Sequence, residues 1–430
     1  MSFAHQLLEI SFDAAERLCE TPAATWSIFM ILRDKILAQL EGRKDEFRAF
    51  EGELRDESKV FRNALEQLAT MSRAELESLL SGTETPGALP TEEFDAAPKL
   101  RLPFPHRWNN HAEARAWAYD ALLDHTTVTV DGSQIPPHSG FNIPVAAVQV
   151  AWFENHHSPS GSFVKDAEIE ILTPDDLKAG SDGERTEQKI NARRFEMETG
   201  KLCQLMERLA AERSAETPLP VALFDSSLVI SFADRLQGNM RERHVNAMLK
   251  LLQCSETTGV PLIGYVDSSD ARDLTKMLSL SFNLPEAQQL HDAELVDELL
   301  TWGDRTPLFI CKRGGADQKQ ASVLELFEAQ QQSAGFVYLK TGSQAPPARL
   351  EIPMWIHRQG LLDEVLNIIR AEVVVGNGYP YAIETADAAA VISTRDRETF
   401  YSLFQQFAER QGIKLHVSQK AASKARRRYS

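Results

Sequence analysis

One segment constrains this chain more than any other: Thr127-Val128-Thr129-Val130-Asp131-Gly132, a run of β-branched residues that leads into a single carboxylate. Such residues predict a strand, and the following glycine favours a sharp turn directly after Asp131, which would place this aspartate at a strand end. A second apolar strand, residues 221–224, runs into Asp225 in the same way. Two aspartates carried by separate strands suggest a metal site. The alternatives are an Asx turn at Asp131 and a helix cap at Asp225.

The chain has 430 residues, enough for two domains or for one large domain with an attached helical part. It has neither a run of about eighteen uncharged apolar residues nor the N-terminal pattern of a signal peptide. We therefore expect a folded cytoplasmic protein without a membrane partner. The cysteines lie far apart and show no CxxC spacing, so we expect them to be reduced and structural: Cys19, Cys203, Cys254 and Cys311.

The net charge of −16 argues against non-specific attraction to nucleic acid, because a duplex repels an acidic surface. The exception is the tail, residues 414–430, which is rich in lysine and arginine and contains no acid. This tail is either a solvated, disordered segment or an arm that contacts phosphates.

Apolar residues recur with helical spacing through residues 1–80, which predicts a helical arm for dimer formation or partner docking. Residues 81–108 are rich in Gly, Pro, Thr and acids and are interpreted as a linker. A helix capped by Asn109 or Asn110 then leads to the Asp131 strand. We expect the main domain to cover residues 109–413.

The central region predicts a strand with an acid, a hairpin, a long helix over about 184–213, a strand with an acid, a helix and a further strand. This order implies an α/β fold, with a mixed sheet flanked by helices, as in ribonuclease-H-like nucleases. Acids at the ends of neighbouring strands in an open sheet converge where ligands bind.

The long helix offers a third carboxylate. Glu198 falls on the apolar stripe formed by residues such as Leu202 and Leu205, whereas Glu196 points elsewhere. An ionised glutamate on a core-facing stripe needs a positive partner, and a divalent cation would supply one. The alternatives are that Glu198 lies at the edge of the stripe with its carboxylate in water, or that Glu196 is the ligand.

Three carboxylates could hold one or two Mg²⁺ or Mn²⁺ ions, which prefer hard oxygen ligands, and two such ions favour phosphodiester hydrolysis. The sequence contains neither a Walker A motif nor GxGxxG after a strand, which argues against nucleotide-driven work in this chain.

Further strands are predicted at residues 308–311, 336–339 and 349–357, with helices at about 322–331 and 361–369. The glycine-bracketed turn at 376–381 precedes a helix with Pro380 in its first turn. Glu384 and Asp387 lie three residues apart on one side of this helix. An acidic pair and the turn's tyrosine could complete the site.

Four motifs occur in a fixed order: Val130-Asp131-Gly132-Ser133-Gln134, Leu223-Phe224-Asp225-Ser226-Ser227-Leu228, Gly264-Tyr265-Val266, and Gly378-Tyr379-Pro380 followed by Ala386-Asp387. Together they resemble the NurA family of DNA-end-processing nucleases, over about residues 117–407. The resemblance implies a ribonuclease-H-like core and a Mn²⁺- or Mg²⁺-dependent nuclease with two bound ions, which degrades DNA ends 5′ to 3′ and cuts single strands. It also implies a homodimer that docks on a hexameric HerA-type translocase during double-strand-break end resection and DNA repair.

The resemblance assigns the family's two aspartates to Asp131 and Asp225, and its helix glutamate to Glu198 or Glu196. Ser226 replaces the usual glycine after the second aspartate. The family's late tyrosine falls on Tyr379. Asp387 stands where archaeal members carry a histidine, which places a general-acid role in doubt, and Asp267 stands where a basic residue is common, which removes a possible phosphate contact.

From these residues we expect Asp131, Glu198 and Asp225 to hold the cations, with Asp387 assisting and Tyr379 orienting the phosphate or the attacking water. Glu196, Glu384 and Ser133 are lower-ranked candidates. Lys165, Arg193, Arg194 and Arg272 are candidate contacts to the DNA backbone. Two alternatives stay open: a non-catalytic adaptor of a translocase that retains the fold, and a related enzyme that cleaves RNA in hybrids.

Overall fold

The computed structural model describes residues 26–178, 185–214, 216–236, 238–314 and 322–416. The chain divides into two compact units, Met1–Val60 and Phe61–Ser430. In the described part of the first unit the chain is helical, and several large apolar side chains are exposed: Ile36, Leu37, Leu40, Phe47 and Phe50. Within the described ranges, no helix combines the length and the apolar character that crossing a membrane requires.

The second unit contains a nine-stranded mixed sheet with the order β1-β7-β8-β9-β6-β5-β2-β3-β4. The strands are β1 Gly87–Pro90, β2 Thr127–Ile135, β3 Ala146–Asn155, β4 Phe163–Leu172, β5 Val221–Phe224, β6 Leu262–Val266, β7 Phe309–Lys312, β8 Ala334–Leu339 and β9 Ala348–Pro353.

Helices account for most of the remaining regular structure, with short 3₁₀ turns at Pro98–Leu100, Ser231–Arg235 and Asp297–Leu299. The helices are α1 Trp26–Gly42, α2 Lys44–Leu68, α3 Arg73–Leu80, α4 Glu93–Ala96, α5 His111–Leu122, α6 Pro174–Leu177, α7 Thr186–Glu212, α8 Gly238–Thr258, α9 Asp273–Phe282, α10 Asp292–Val296, α11 Val323–Ala329, α12 Met354–Arg358, α13 Leu362–Val375, α14 Tyr381–Ala390 and α15 Thr394–Arg410.

Strands β2, β3 and β4 form an antiparallel meander, and β5 and β6 run parallel to β2. The predicted order of strands and helices from β2 to β6 is therefore confirmed. A parallel connection needs a crossover, which α7 provides between β4 and β5 and α8 provides between β5 and β6. The other strands extend the sheet beyond β6 through antiparallel pairs.

Helices cover both faces of the sheet. On one face, the ring of Phe195 in α7 packs edge-on against Phe224, with 6.1 Å between centroids. On the other face, Leu223, Ile263 and Leu350 join the core formed with α5, α13 and α14. The alternation of Leu223 and Phe224 between the two cores follows from the two-residue period of a strand. The predicted flanking of the sheet by helices is confirmed.

The turn expected after Asp131 is absent, and that prediction is wrong. Strand β2 continues through Gly132 to Ile135 because its antiparallel partner β3 pairs with it along its whole length, with Asp131 opposite Ala151. Ladder hydrogen bonds to β3 thus outweigh the local preference of Asp-Gly for a turn. This arrangement also excludes an Asx turn at Asp131.

Other local predictions differ from the structure. The stretch 81–108, expected to be a linker, contributes β1, which pairs with β7, and the short helix α4. The strand predicted at 349–357 ends at Pro353, and α12 follows at once. Helices α9 and α10 were not predicted. Cys203, Cys254 and Cys311 are buried free thiols, as expected, whereas Cys19 and the tail residues 417–430 lie outside the described residues.

A chain of buried charges crosses the sheet beside the end of β5. Asp273 of α9 forms an ion pair with Arg349 at 2.8 Å, and the Arg349 Nε donates to Glu351 at 2.8 Å. Glu351 also accepts a hydrogen bond from the backbone N–H of Val229, at 2.8 Å. Each carboxylate thus has a buried partner, which offsets the cost of removing it from water.

We expect Arg349→Leu to lower the free energy of unfolding by about 3–5 kcal/mol, because it leaves Asp273 and Glu351 as buried charges without their shared partner. Urea unfolding monitored by circular dichroism measures this loss. Lys178→Ala is the control, since Lys178 and its partner Asp175 are both largely exposed, and its effect should stay within about 0.5 kcal/mol. Equal midpoints for wild type and Arg349→Leu would contradict the account.

Candidate active site

The pairing of β2 with β5 brings Asp131 and Asp225 to the same level of the sheet. The last residues paired are Thr129 and Leu223, and each aspartate lies two residues further along its chain. Neighbouring strands are about 4.8 Å apart. Asp225 directly follows β5, and no helix starts before residue 231, so Asp225 does not cap one. Both aspartates therefore stand at the point where the parallel pairing ends.

The two aspartates extend to the face of the sheet that α14 covers. Ser133 donates a hydrogen bond to the carbonyl of Ala390, the last residue of α14, and Asp131 shares its face because the two lie two residues apart. Tyr379, just before α14, donates its hydroxyl to Asp225 Oδ1 at 2.6 Å. Gly378, which precedes this tyrosine, has a φ of 119°, a backbone conformation that residues with a Cβ atom rarely adopt.

Glu198 approaches from the opposite face, through the space that a missing side chain leaves at Gly132. A Cβ atom at Gly132 would lie 2.9 Å from Glu198 Cγ and closer still to its Oε1. Arg194, one helical turn earlier, donates from Nη1 to the Gly132 carbonyl at 3.0 Å. Within the described ranges, no strand pairs with this edge of β2 beyond Thr129. The carboxylate of Glu198 therefore comes close to the edge of β2 that carries Asp131.

The carboxyl groups raise one another's pKa. Burial raises the pKa of Asp131 above its ordinary value, and the charges of Asp387 and Asp225 add to this. Burial likewise raises the pKa of Asp225, while the hydrogen bond from Tyr379 opposes the shift. Asp387 of α14 also raises the pKa of Asp225, which brings this exposed aspartate into the same group. Mutual repulsion of this kind favours the binding of a cation.

Glu198 is the most perturbed member of the group. Its side chain is only 11% exposed, and burial raises its pKa to about 7, with Asp131 and Asp225 adding to the rise. Arg194 opposes the rise from 3.6 Å away. Glu198 does not lie at the edge of its stripe with the carboxylate in water, so that alternative is excluded.

The structure separates the lower-ranked candidates from this group. Glu196 forms hydrogen bonds with Arg243 at 2.5 and 2.7 Å and an ion pair with Arg193, which lower its pKa despite partial burial. Glu384 is exposed on α14. Ser133 is engaged with the end of α14, as described above. None of the three is among the main causes of the raised pKa values of Asp131, Glu198 and Asp225.

One acid near the group was not included in the sequence prediction. Asp267 follows β6, the strand next to β5, and its charge raises the pKa of Asp225 and of Tyr379. Its position three residues after Gly264 could have indicated that it lies at the same end of the sheet as Asp225. Rather than only removing a phosphate contact, Asp267 adds negative charge to the site.

The donor set fits a hard divalent cation in its chemistry. Carboxylate oxygens from Asp131, Glu198, Asp225 and Asp387 are the ligands that Mg²⁺ and Mn²⁺ prefer. In the part of the chain that the structure describes, no three acidic, histidine or cysteine side chains are already gathered to hold an ion. The raised pKa values of the three most buried acids show a repulsion that a bound cation would relieve.

The strand order β4-β3-β2-β5-β6, with acids where β2 and β5 stop pairing, defines the ribonuclease-H-like class. The family model of the NurA domain matches residues 125–392, more than half of the chain, and this chain belongs to the NurA family. Family membership supports a nuclease role.

The fold is similar to that of one solved structure, and a second structure matches less well. The NurA nuclease from Sulfolobus solfataricus is 13% identical, with a TM-score of 0.51, over 88% of this chain and 98% of that chain. A NurA structure with manganese is 10% identical, with a TM-score of 0.37, over 81% of this chain and 96% of its own. No curated protein sequence matches this chain.

We expect Gly132→Ala to destabilise the protein by about 1–3 kcal/mol, because the new methyl group overlaps Glu198. In a Glu198→Ala background the same substitution should cost much less, since the overlapping atoms are gone. A double-mutant cycle from urea unfolding measures the difference. The control is Gly200→Ala on α7, where a Cβ meets nothing within 4 Å. Equal costs of Gly132→Ala in both backgrounds would refute the close approach.

The raised pKa of Glu198 has a consequence for stability. The folded state holds this proton more tightly than the unfolded chain, so stability falls as pH rises from 4.5 through about 7, by about 3 kcal/mol. We expect Glu198→Gln, in chelator-treated protein, to remove this fall and to be more stable than wild type at about pH 8 but not at about pH 4.

The contrasting control is Glu196→Gln. The pKa of Glu196 is lowered, so its ionised form stabilises the fold above its ordinary pKa of 4.5, and that contribution is lost as pH falls. Glu196→Gln should therefore reduce stability at neutral pH. Urea midpoints across the pH range test both signs, and a loss of stability at about pH 8 for Glu198→Gln would contradict the assignment.

Proposed function

We propose that this protein is a divalent-metal-dependent deoxyribonuclease, a phosphodiester hydrolase that uses Mn²⁺ or Mg²⁺. The observation that carries this proposal is the convergence of Asp131 and Asp225 where the β2–β5 pairing ends, with Glu198 reaching the same edge past Gly132. Buried, mutually repelling carboxylates are costly for a fold, and a cation-dependent reaction accounts for their retention.

Asp131, Glu198 and Asp225 are the proposed metal ligands, with Asp387 assisting from α14. When bound, one or two such ions supply positive charge for the attacking water and for the leaving oxygen of the phosphodiester. The chain's part is to hold the carboxylates in place. Asp131 is held by the β2–β3 ladder, and Asp225 by the Tyr379 hydroxyl and by the following loop, which is bonded to Glu351.

Tyr379 is proposed to orient the scissile phosphate or the attacking water. Its hydroxyl already donates to Asp225, and burial raises its pKa well above the ordinary value, so it keeps its proton at neutral pH. A protonated tyrosine acts by donating a hydrogen bond and not as a base. Proton transfer to the leaving group is left to water, since Asp387 replaces the family's histidine here.

The finer features of the proposal rest on family membership. They are 5′ to 3′ degradation of linear DNA ends, endonucleolytic cutting of single strands, and a homodimer that works with a HerA-type hexameric translocase in double-strand-break end resection. The exposed apolar side chains of the helical arm, such as Phe47 and Phe50, are consistent with dimer formation or partner docking by that arm.

Two observations favour a second candidate, a non-catalytic adaptor of a DNA translocase that keeps the nuclease fold. Among the described residues no acidic cluster is already arranged to hold an ion, and Asp387 and Asp267 stand where the family pattern has histidine and a basic residue. A nuclease assay decides between the two functions, and RNA–DNA hybrid as a second substrate tests for hybrid cleavage.

We expect the purified full-length chain to degrade labelled linear DNA with Mn²⁺, and chelation to abolish this activity. Asp131→Asn and Asp225→Asn should each lower the rate by at least about a hundredfold, because each removes a charged ligand while keeping its shape. Gel-resolved time courses under single-turnover conditions measure the rates.

Asp387→Asn and Glu384→Gln form a matched pair on α14. Of the two, Asp387 is the residue whose charge raises the pKa of Asp131 and Asp225, so we expect Asp387→Asn to slow cleavage and Glu384→Gln to leave it unchanged. DNA degradation that persists in Asp131→Asn would indicate a contaminating nuclease and refute the proposal. A folded wild-type protein that binds DNA or a translocase without cleaving DNA would support the adaptor.

A further inference from the structure

The sequence predicts four basic residues as contacts to a nucleic acid backbone. In the structure, three of them are engaged elsewhere or lie far from the acidic group. Arg193 binds Glu170 through two hydrogen bonds, at 2.7 and 2.5 Å. Arg272 donates to the carbonyls of residues 288 and 290. Lys165 is exposed on β4, the edge strand furthest from β5 on that side of the sheet. Arg194 differs from these three.

Arg194 is held beside the carboxylates by the backbone. Its Nη1 donates to the Gly132 carbonyl at 3.0 Å and lies 3.6 Å from Glu198 Oε1, beyond a hydrogen bond. Its Nε is buried and has no hydrogen-bond partner among the described residues, although the side chain as a whole is 38% exposed. The guanidinium is thus fixed at one nitrogen while donors remain for a further acceptor.

Helix α7 runs against the direction of β2, which orients Arg194 toward the open end of the site. Glu198 and Arg194 contact Gly132, and the earlier residue Asn191 accepts a hydrogen bond from Gln134 at 2.8 Å. Earlier turns of α7 thus meet later residues of β2, beyond the end of β5. Arg194 lies one turn nearer to that end than Glu198 and on the same side of the helix.

Charge also favours an anion at this position. Asp131, Glu198, Asp225 and Asp387 form the acidic group, and Arg194 is the cation that lowers the pKa of both Asp131 and Glu198. Once divalent cations balance the acids, Arg194 is no longer needed as their counter-charge. A guanidinium matches two oxygens of a phosphate with its planar fork, which an ammonium cannot do.

We propose that Arg194 binds a non-bridging phosphate oxygen of the DNA strand beside the metal ligands and so positions the scissile phosphodiester. This inference deepens the proposed nuclease function and rests on it for the identity of the ligand. Arg194 is thereby a substrate contact, whereas its neighbour Arg193 belongs to the ion pairs between α7 and β4.

Binding of a fluorescein-labelled single-stranded oligonucleotide to the full-length protein, with Ca²⁺ in place of Mn²⁺, tests the assignment by fluorescence anisotropy. We expect Arg194→Gln to weaken binding about tenfold and to reduce the slope of log affinity against log salt by about 0.7, the loss of one phosphate contact. Arg194→Lys should keep the slope and lose only part of the affinity. Arg193→Gln should bind as wild type does.

A second measurement separates this role from that of a mere counter-ion for Glu198. A counter-ion alone predicts that Arg194→Gln binds Mn²⁺ more tightly and binds the oligonucleotide as wild type does, and this result would overturn the proposal. Equal losses of affinity in Arg193→Gln and Arg194→Gln would also overturn it. Should Arg194→Gln unfold, Arg194→Lys tests the proposal: a counter-ion role predicts unchanged oligonucleotide affinity because the charge is kept, whereas a guanidinium contact to phosphate predicts a partial loss of affinity.

The two proposals fail in distinguishable ways. Wild-type protein that cleaves no DNA with Mn²⁺, but loses oligonucleotide binding on Arg194→Gln, would refute the nuclease function and leave the phosphate site standing. Wild-type protein that cleaves DNA, together with an Arg194→Gln variant that binds and cleaves equally well, would refute only the role of Arg194.

Discussion

The candidate site depends on the point at which the pairing between strands β2 and β5 ends. Strand β5 ends at Phe224, while β2 runs on to Ile135 because β3 supports it from the other side. Because of this difference in length, no described strand pairs with that edge of β2 beyond Thr129. At that edge Asp131 and Asp225 stand level, the Gly132 carbonyl receives Arg194, and Glu198 approaches from the opposite face. A longer β5 would close the edge and separate these groups.

Holding several carboxylates at one place requires a rigid surround, and the buried charges beside β5 provide part of it. Burial alone would raise the pKa of Glu351, but Arg349 and Arg313 keep its pKa below the ordinary value, so this carboxylate is ionised. Its hydrogen bond to Val229 fixes the loop that follows Asp225. The site and its surroundings therefore contain one acid with a lowered pKa, Glu351, and one with a raised pKa, Glu198. Glu351 is paired and structural, whereas Glu198 has a raised pKa and the partly satisfied Arg194 as its neighbour.

Helix α7 illustrates how much of the site local pattern could predict. Helical spacing placed Glu198 on the buried stripe and Glu196 off it, and the structure agrees, because side chains two positions apart point to different sides of a helix. The same spacing could not tell that Arg193 would meet Glu170 while Arg194 would meet Gly132. Those partners belong to other strands, and their distance from α7 is set by how the helix packs on the sheet.

By itself, the sequence determined the succession of strands and helices from β2 to β6 and the carboxylates that they carry, since hydrophobic periodicity and helical phase are local properties. The predictions of a turn at Asp-Gly, of a linker at residues 81–108 and of a strand reaching residue 357 were wrong. Each of these features depends on pairing with distant segments. Only the tertiary structure decided that β5 stops level with Asp131, that Asp267 joins the acids and that Arg194 faces them. Register and helix packing bring these groups together, and neither is encoded in a short stretch of chain.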